Sequence, residues 1–267
     1  MHNCLILGCG RSGTSLTTGL LSDAGYFFGS NPIEARDANP KGFFEDHLIN
    51  FVNEQIMAKR VGYSRLPAWL SRGLGRIPFR PAQLWLAVLD KPEHWKPEKR
   101  TEWIIRDLVS HQPFAFKDPR FCYTLNAWRP YLGDCKFICI FRHPNIVASS
   151  IAKEVASEPY YRNLSLDAEH ALRVWEAMYR QVLDFHCTDD SEWLFVEYDQ
   201  LIAGTAFEPI SRFLDTEIDS DFVDRTLNRS RPENLTPSRD VQKIYRRLQA
   251  KAESTQAAAL NADRTGD

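Results

Sequence analysis

At 267 residues the chain is long enough to bury a full hydrophobic core but short for two large domains. Hydrophobic residues make up 43% and charged residues 25%, which is ordinary for a globular protein, and the net charge of −2 argues against nucleic acid or an acidic membrane surface as a partner. No run of about 18 apolar residues occurs, so no membrane span is predicted. We expect one domain over residues 1–248 and a frayed polar tail over 249–267.

The start of the chain and its cysteines indicate a compartment. The first predicted strand begins at Cys4, which leaves no room for a signal peptide ahead of it. The cysteines follow no metal-ligand spacing, and no metal site is predicted; they are Cys4, Cys9, Cys122, Cys135, Cys139 and Cys187. Buried free thiols are typical of the reducing cytoplasm, which is the location we expect.

A buried strand, a glycine-rich turn and the start of a helix are predicted over residues 4–16. Gly8 and Gly13 permit a tight turn whose backbone amides can bind an anion. The spacing is that of the phosphate-binding loop G-x-x-x-x-G-K-S/T, but Thr14 stands at the lysine position and the cation is Arg11. The loop therefore keeps an anion cradle and lacks the lysine that serves nucleoside triphosphates.

Two irregular segments follow the first helix. Asn39-Pro-Lys-Gly marks a loop that leaves Glu45, Asp46 and His47 at its end. Residues 60–100 hold five prolines and three tryptophans. This composition predicts an insertion of short helices packed by tryptophans or a substrate lid, and the two interpretations are compatible.

Strands and helices alternate along the chain. Further strands are predicted over residues 114–117, 136–142 and 193–197, and helices over 46–59, 98–111, 120–128, 144–155, 165–186, 206–214 and 220–228, with Ser165 as a cap. This order is typical of a three-layer, P-loop-like α/β fold with a central, mostly parallel sheet flanked by helices. Since ligands collect at the carboxyl ends of such strands, the loop after Leu7, Lys117 and Arg142 should converge on one cleft.

A second candidate site runs from Arg142 to Ser150. Arg142 leaves a predicted strand toward the cleft, and Ser150 lies about two turns into the next helix. A planar fork of N–H donors and a hydroxyl placed in this way can grip one phosphate from two sides. The plainer interpretation is an unrelated surface arginine and helix serine; the phosphate loop at the same sheet edge favours the first.

The two phosphate motifs resemble those of the PAPS-dependent sulfotransferases, whose sulfuryl donor is 3′-phosphoadenosine 5′-phosphosulfate (PAPS). Arg11-Ser-Gly-Thr-Ser is similar to the family's 5′-phosphosulfate loop, and Arg142 to Ser150 is similar to its 3′-phosphate motif, R-x-P-x-x-x-x-x-S. Shorter similarities to bacterial, tyrosylprotein-type and other members occur at Asn39–Asp46, Lys117-Asp-Pro and Glu197-Tyr-Asp-Gln-Leu201. The C-terminal R-K-G-x-x-G-x-W-K loop of the cytosolic aryl branch is absent, so the resemblance covers residues 4 to about 200 and favours bacterial, tyrosylprotein-type and carbohydrate-type branches.

The resemblance implies transfer of a sulfuryl group from PAPS to an acceptor hydroxyl, or second to that an amine, with PAP as product and no metal ion. The acceptor is a carbohydrate, a lipid headgroup, a peptide or a small metabolite. The donor-binding residues that it implies are Gly10, Arg11, Ser12, Gly13, Thr14, Ser15, Arg142 and Ser150.

The resemblance also implies catalytic roles. Glu45 is the expected base, with a pKa raised toward neutrality by burial, while Asp46 and His47 are close rivals and His143 is a weaker one. Lys117 with Arg11 is expected to stabilise the transferring group, although an ion pair with Asp118 is the alternative. Arg120 either binds an acidic acceptor or ties down its turn.

Two other functions stay open at this point. A P-loop metabolite kinase that uses ATP is disfavoured by Thr14 at the lysine position, and Asp118 is the only candidate to hold Mg²⁺ at a strand end. A non-catalytic nucleotide-binding protein would keep both phosphate motifs and need no base at Glu45.

Overall fold

A sheet of four parallel strands lies among the described residues of the computed structural model, which are 1–34, 44–64, 68–73, 77–92, 94–223 and 235–261. The strands are β1 (Asn3–Leu7), β2 (Ala115–Lys117), β3 (Cys135–Phe141) and β4 (Trp193–Glu197). Their spatial order is β2-β1-β3-β4, and every neighbouring pair is parallel. The predicted parallel α/β sheet is confirmed.

Helices connect the strands and cover the sheet. Those of the described residues are α1 (Thr14–Gly19), α2 (His47–Ala58), α3 (Ala68–Gly73), α4 (Lys99–Val109), α5 (Phe121–Leu132), α6 (Pro144–Ser157), α7 (Ala168–Gln181), α8 (Tyr198–Ala203), α9 (Phe207–Leu214) and α10 (Arg239–Asn261). Short 3₁₀ turns occupy Leu84–Leu86, Pro159–Tyr161, Asp190–Glu192 and Ser220–Phe222, and a π-helical turn at Val182–His186 extends α7.

Each face of the sheet has its own core, because successive side chains of a strand point to opposite sides. Leu5 and Leu7 pack with apolar residues of α2, α4, α5 and α7. Cys4 and Ile6 pack on the other face with Leu20, Leu21 and apolar residues of α9. Two helical layers around one sheet make the three-layer architecture that was predicted.

The strand register brings the carboxyl ends together. Ile6 pairs with Lys117, so β1 and β2 end at the same level. β3 continues past its pairing with Leu7 to Phe141, which pairs with Glu197 of β4. The loop after Leu7, the end of β2 and the residue after β3 therefore meet at one edge.

Two local predictions differ from the structure. The cap of α7 is Asp167 and not Ser165, because the Asp167 carboxylate accepts a hydrogen bond from the backbone N–H of His170 at 2.8 Å. The helix predicted over 220–228 appears only as the 3₁₀ turn Ser220–Phe222, and its remainder from residue 224 lies outside the described residues.

The described part of residues 60–100 packs onto the body of the protein. Gln83 donates to the carbonyl of Tyr160 at 2.9 Å, and Asn163 donates to the carbonyl of Pro78 at 2.6 Å. Trp95 donates its indole N–H to the carbonyl of Tyr123 at 2.9 Å. That this segment serves as a substrate lid stays a prediction.

The expected frayed tail is wrong as far as the structure describes it. α10 is continuous to Asn261, and its Thr255 and Gln256 are buried. Thr255 Oγ1 accepts from the N–H of Phe195 at 3.1 Å, and Gln256 Nε2 donates to the carbonyl of Phe195 at 2.9 Å. Because β4 ends the order of described strands, its outward backbone groups take these side chains as partners instead of another strand.

Two further observations concern the cysteines and the length of the helices. All six cysteines are free, and five of them are buried, as expected. None of the helices in the described ranges is long and apolar enough to cross a membrane.

Candidate functional site at the carboxyl ends of the strands

The glycine loop after β1 is packed so closely that Gly8 and Gly13 have no room for a side chain. Gly8 has φ of 149°, and an added Cβ would lie 2.1 Å from the carbonyl oxygen of Ile140. Gly13 has φ of 101°, and an added Cβ would lie 2.4 Å from the ring of Tyr198. The loop is thus pressed against β3 on one side and against the start of α8 on the other.

Tyr179 of α7 is hydrogen-bonded to the glycine loop and to β3 and holds the loop in place. Its hydroxyl donates to the carbonyl of Ile140 at 2.6 Å, accepts from the N–H of Cys9 at 3.1 Å and lies 3.0 Å from Ser12 Oγ. The Ser12 hydroxyl is therefore directed into the buried interior, and the Ser12 N–H donates to the carbonyl of Cys9 at 3.2 Å, so Ser12 is engaged by partners within the protein. Tyr179 lies within the helix predicted over 165–186, and nothing in the sequence indicated this role.

The other loop residues lie at the start of α1. Thr14 is buried, and its carbonyl accepts from the hydroxyl of Thr18 at 2.9 Å. Ser15 is half-buried. An added Cβ at Gly10 would lie 2.5 Å from the ring of Trp85, so the segment 60–100 covers the loop at this point.

Arg142 follows β3 and is 7% exposed, with its guanidinium carbon 4.0 Å from the ring centroid of Tyr198. Burial lowers the pKa of Arg142; the nearby Tyr198 and Asp199 act against this, and the positive charge of Arg11 adds to it. Because burial disfavours the charged form of Arg142, an anion bound beside it would stabilise its positive charge.

Arg11 and Ser150 meet, although 139 residues separate them. Arg11 Nε donates to Ser150 Oγ at 3.1 Å, so the glycine loop and α6 are in contact, whereas the sequence pattern pairs Ser150 with Arg142. The same Nε lies 3.3 Å from Glu154 Oε2. Glu154 is a site residue that sequence reasoning missed; its position four residues after Ser150, on the same face of α6, is the signal that would have found it.

Lys117 and Glu45 form a buried ion pair at this edge. Lys117 Nζ lies 2.5 Å from Glu45 Oε1, with side chains 3% and 14% exposed, so the pair with Asp118 is not formed. Asn50 Nδ2 donates to Glu45 Oε2 at 3.0 Å. The expectation that burial raises the pKa of Glu45 is wrong: burial does act upward, but the charges of Lys117 and Arg120 and the hydrogen bonds from Lys117 and Asn50 outweigh it and lower the pKa.

Asp46 caps α2. Its Oδ1 accepts from the N–H groups of Leu48 at 2.7 Å and Ile49 at 3.2 Å, and its Oδ2 accepts from the N–H of Asn31 at 2.6 Å. The carboxylate is fully buried and engaged by backbone donors, which explains why a base role does not suit it. His47 is exposed on the first turn of the helix.

We expect Asp46→Ala to destabilise the protein by about 2 kcal/mol in urea denaturation, since it removes a helix cap and leaves buried N–H groups without an acceptor. Asp46→Asn keeps the Oδ1 acceptor and should lose about half as much. Full stability of Asp46→Ala together with lost turnover would contradict this structural role.

Arg120 belongs to a buried polar network. Its guanidinium donates to Glu54 at 2.7 Å, to Asp118 at 3.0 Å and to the carbonyl of Ala82 at 2.8 Å. Of the two expected roles, the geometry therefore fits the one that ties down the turn after β2. Burial raises the pKa of Asp118, and the charge of Glu45 adds to this, although Arg120 and hydrogen bonds from Asn53 and the Arg120 N–H act against it.

His143 and the start of the first irregular loop complete the account of the predicted residues. The His143 ring accepts from the N–H of Asn145 at 3.3 Å and packs against Tyr245, so it makes local contacts at the start of α6. The loop signal at 39–43 lies outside the described residues. In the described ranges no group of three or more His, Cys, Asp or Glu side chains could hold a metal ion.

Comparison with known proteins gives a consistent family. The model described as "Sulfotransferase family" matches residues 4–220. No curated protein matches the chain significantly.

Three solved structures are similar over most of the chain. The sulfotransferase domain from the curacin biosynthetic pathway is 16% identical with a TM-score of 0.53, over 93% of this chain and 97% of that one. The sulfotransferase domain of a Synechococcus olefin synthase is 19% identical with a TM-score of 0.45, over 96% and 93%. A sulfotransferase from Mycobacterium tuberculosis is 15% identical with a TM-score of 0.44, over 93% and 76%. The first likeness supports the fold.

Proposed function

The chain belongs to the sulfotransferase family, and on that basis we propose that it transfers a sulfuryl group from PAPS to an acceptor hydroxyl in one in-line step and releases adenosine 3′,5′-bisphosphate (PAP). The observation that carries the choice of donor is the contact between Arg11 of the glycine loop and Ser150 of α6. A nucleotide with anionic groups at both its 5′ and 3′ positions needs two anion sites at one edge of the sheet, and Arg142 lies at the same edge.

The glycine loop is the proposed site for the 5′ end. Backbone N–H groups of residues 10–15 and the hydroxyls of Thr14 and Ser15 would bind the phosphate and sulfate, while Ser12 holds the turn, since its N–H donates to the carbonyl of Cys9 and its hydroxyl contacts Tyr179. Arg11 would stabilise the charge that builds on the leaving phosphate. One phosphate and one sulfate need neither the P-loop lysine nor Mg²⁺, which accounts for Thr14 at the lysine position.

The 3′-phosphate is the proposed ligand of Arg142 and Ser150. Arg142 presents a planar fork of donors and packs against the ring of Tyr198. Burial lowers the pKa of Arg142. A bound phosphate would raise this pKa again, because its negative charge stabilises the charged guanidinium, and the same attraction would hold the phosphate tightly.

Glu45 is the proposed base and Lys117 the proposed cation at the transferring group. The lowered pKa of Glu45 keeps its carboxylate ionised at neutral pH, so it can accept the acceptor proton, although it is a weaker base than a glutamate of raised pKa. Lys117 and Asn50 fix its orientation from two sides. If the transition state is loose, as in phosphoryl transfer, the hydroxyl proton leaves late and a weak, well-placed base suffices.

The acceptor is proposed to be an uncharged hydroxyl compound rather than an acidic one. Arg120, for which recognition of an acid is one of two expected roles, is 2% exposed and engaged by Glu54 and Asp118. Carbohydrates, lipid headgroups, peptides and small metabolites all fit this description, and a screen of such acceptors with labelled donor would identify the class.

Ligand-dependent melting tests the proposal. We expect PAP to raise the melting temperature at a concentration at which AMP and ATP·Mg²⁺ raise it little, because only PAP engages both anion sites. Stabilisation by ATP·Mg²⁺ and not by PAP would contradict the proposal and favour a kinase. Stabilisation by PAP without sulfuryl transfer to any acceptor in the screen would favour a non-catalytic nucleotide-binding protein.

A further inference from the structure

Glu154 places a carboxylate inside the predicted donor site. It lies one turn after Ser150 on α6, is 13% exposed, and its Oε2 is 3.3 Å from Arg11 Nε. Among the described residues, that buried oxygen accepts no hydrogen bond, so the contact with Arg11 is an ion pair without an aligned N–H donor. Such a contact orients the guanidinium and is cheaper to break than a bidentate pair.

The groups that face Glu154 come from four elements. Burial raises its pKa; Arg11 of the loop acts against this, the charges of Glu158 at the end of α6 and Glu45 before α2 raise it further, and a hydrogen bond from Tyr161 lowers it. The net direction is upward. A carboxylate charge at this position is therefore costly even in the absence of any other anion.

A bound donor would make that cost larger. The proposed function places the phosphate and sulfate of the donor on Arg11, next to Glu154. We propose that Glu154 is a positioning residue that competes with the donor for Arg11: it holds the guanidinium against α6 and yields it when a multiply charged anion binds. This inference rests on the proposed function for the identity of the anion.

The competition has a proton-linked consequence. As donor charge approaches, Glu154 either loses its contact with Arg11 or takes up a proton, and either event weakens binding at neutral pH relative to a site without the carboxylate. Below the raised pKa of Glu154 the carboxyl group is neutral, and it no longer weakens binding of the donor.

Binding of PAP by titration calorimetry gives the first test. At pH 7.5 we expect Glu154→Gln to bind PAP about fivefold more tightly than the wild type, because it removes the competing charge and keeps the shape. Glu158→Gln removes a charge from the same helix end without a contact to Arg11 and should change the affinity less than about twofold. The ratio of the PAP affinity of Glu154→Gln to that of the wild type should shrink as the pH falls toward 5. Because PAP titrates in the same way in both measurements, its own titration cancels in this ratio.

The Arg11 side-chain N–H resonance gives a second test that needs no ligand. Identified by its absence in Arg11→Lys, the Nε–H signal should move with pH in the wild type and in Glu158→Gln and stay still in Glu154→Gln. A signal that ignores Glu154→Gln, or PAP binding that Glu154→Gln leaves unchanged or weakens, would overturn the inference. Failure of the wild type to bind PAP would instead remove the proposed function, and with it the competition with a donor, while the resonance still decides whether Glu154 restrains Arg11.

Discussion

Replacing Arg142 with alanine should erase the preference of this protein for PAP over AMP. In the proposed complex the 3′-phosphate is the group that distinguishes the two nucleotides, and Arg142 is its buried cation. We expect PAP affinity to fall about 100-fold, or about 2.8 kcal/mol, and AMP affinity to change little. Titration calorimetry with both nucleotides on wild type and variant measures this difference directly.

Two variants control the Arg142 experiment. Arg142→Lys keeps a positive charge but loses the planar fork, so it should lose part of the PAP affinity and keep some preference over AMP. Arg162→Ala removes an exposed arginine beyond the end of α6 and should leave both affinities as they are. Equal losses of PAP and AMP binding in Arg142→Ala would show that Arg142 supports the fold of the site and does not read the 3′-phosphate.

Replacing Glu45 with glutamine should stop turnover while the donor still binds. The glutamine oxygen can still accept from Lys117, but the side chain can no longer take a proton. We expect kcat to fall about 10²- to 10³-fold, within the range typical of a lost general base, and the Kd for PAP to stay within about twofold. Steady-state rates at saturating donor, beside calorimetry with PAP, separate the two effects.

The pH dependence of kcat gives an independent measure of Glu45. Because its pKa is lowered, its active, ionised form persists from neutral pH down through the usual glutamate range, and turnover is lost only below that range. We therefore expect kcat at saturating donor to stay flat on the acid side to about pH 5. Loss of turnover already above the usual glutamate range would assign the proton to a group other than Glu45. His47→Ala is the matching control, which should keep full turnover if Glu45 is the base.

Local sequence features were enough to predict the elements that frame the site. Glycines at fixed spacing predicted the turn after β1, since Gly8 and Gly13 adopt positive φ, which glycine does at little steric cost. Apolar runs predicted β1 and β3 closely, because a strand covered on both faces has no polar positions. The alternation of strands and helices then placed Arg11, Lys117 and Arg142 at one sheet edge, since parallel strands leave their carboxyl ends together.

The same reasoning failed in two places where contacts between distant residues decide the outcome. The acid–base character of Glu45 depends on Lys117 and Arg120, which lie over 70 residues away and reverse the effect of burial. Residues 249–267 were expected to fray because they are polar, yet two of these polar side chains, Thr255 and Gln256, are hydrogen-bonded to the backbone of Phe195. No periodicity analysis scores such side chains as buried.

The sequence by itself determined the parallel α/β architecture, the glycine turn after β1 and the approach of Arg11, Lys117 and Arg142 to one edge. These follow from backbone freedom, hydrophobic period and strand direction, which are written in neighbouring residues. The tertiary structure alone decided how the ionisable side chains are divided: Asp46 to a helix cap, Arg120 to a buried network, Glu45 to Lys117, and Glu154 to Arg11. The charge and pKa of a buried group depend on what lies within a few ångströms of it, and only the fold brings those partners together.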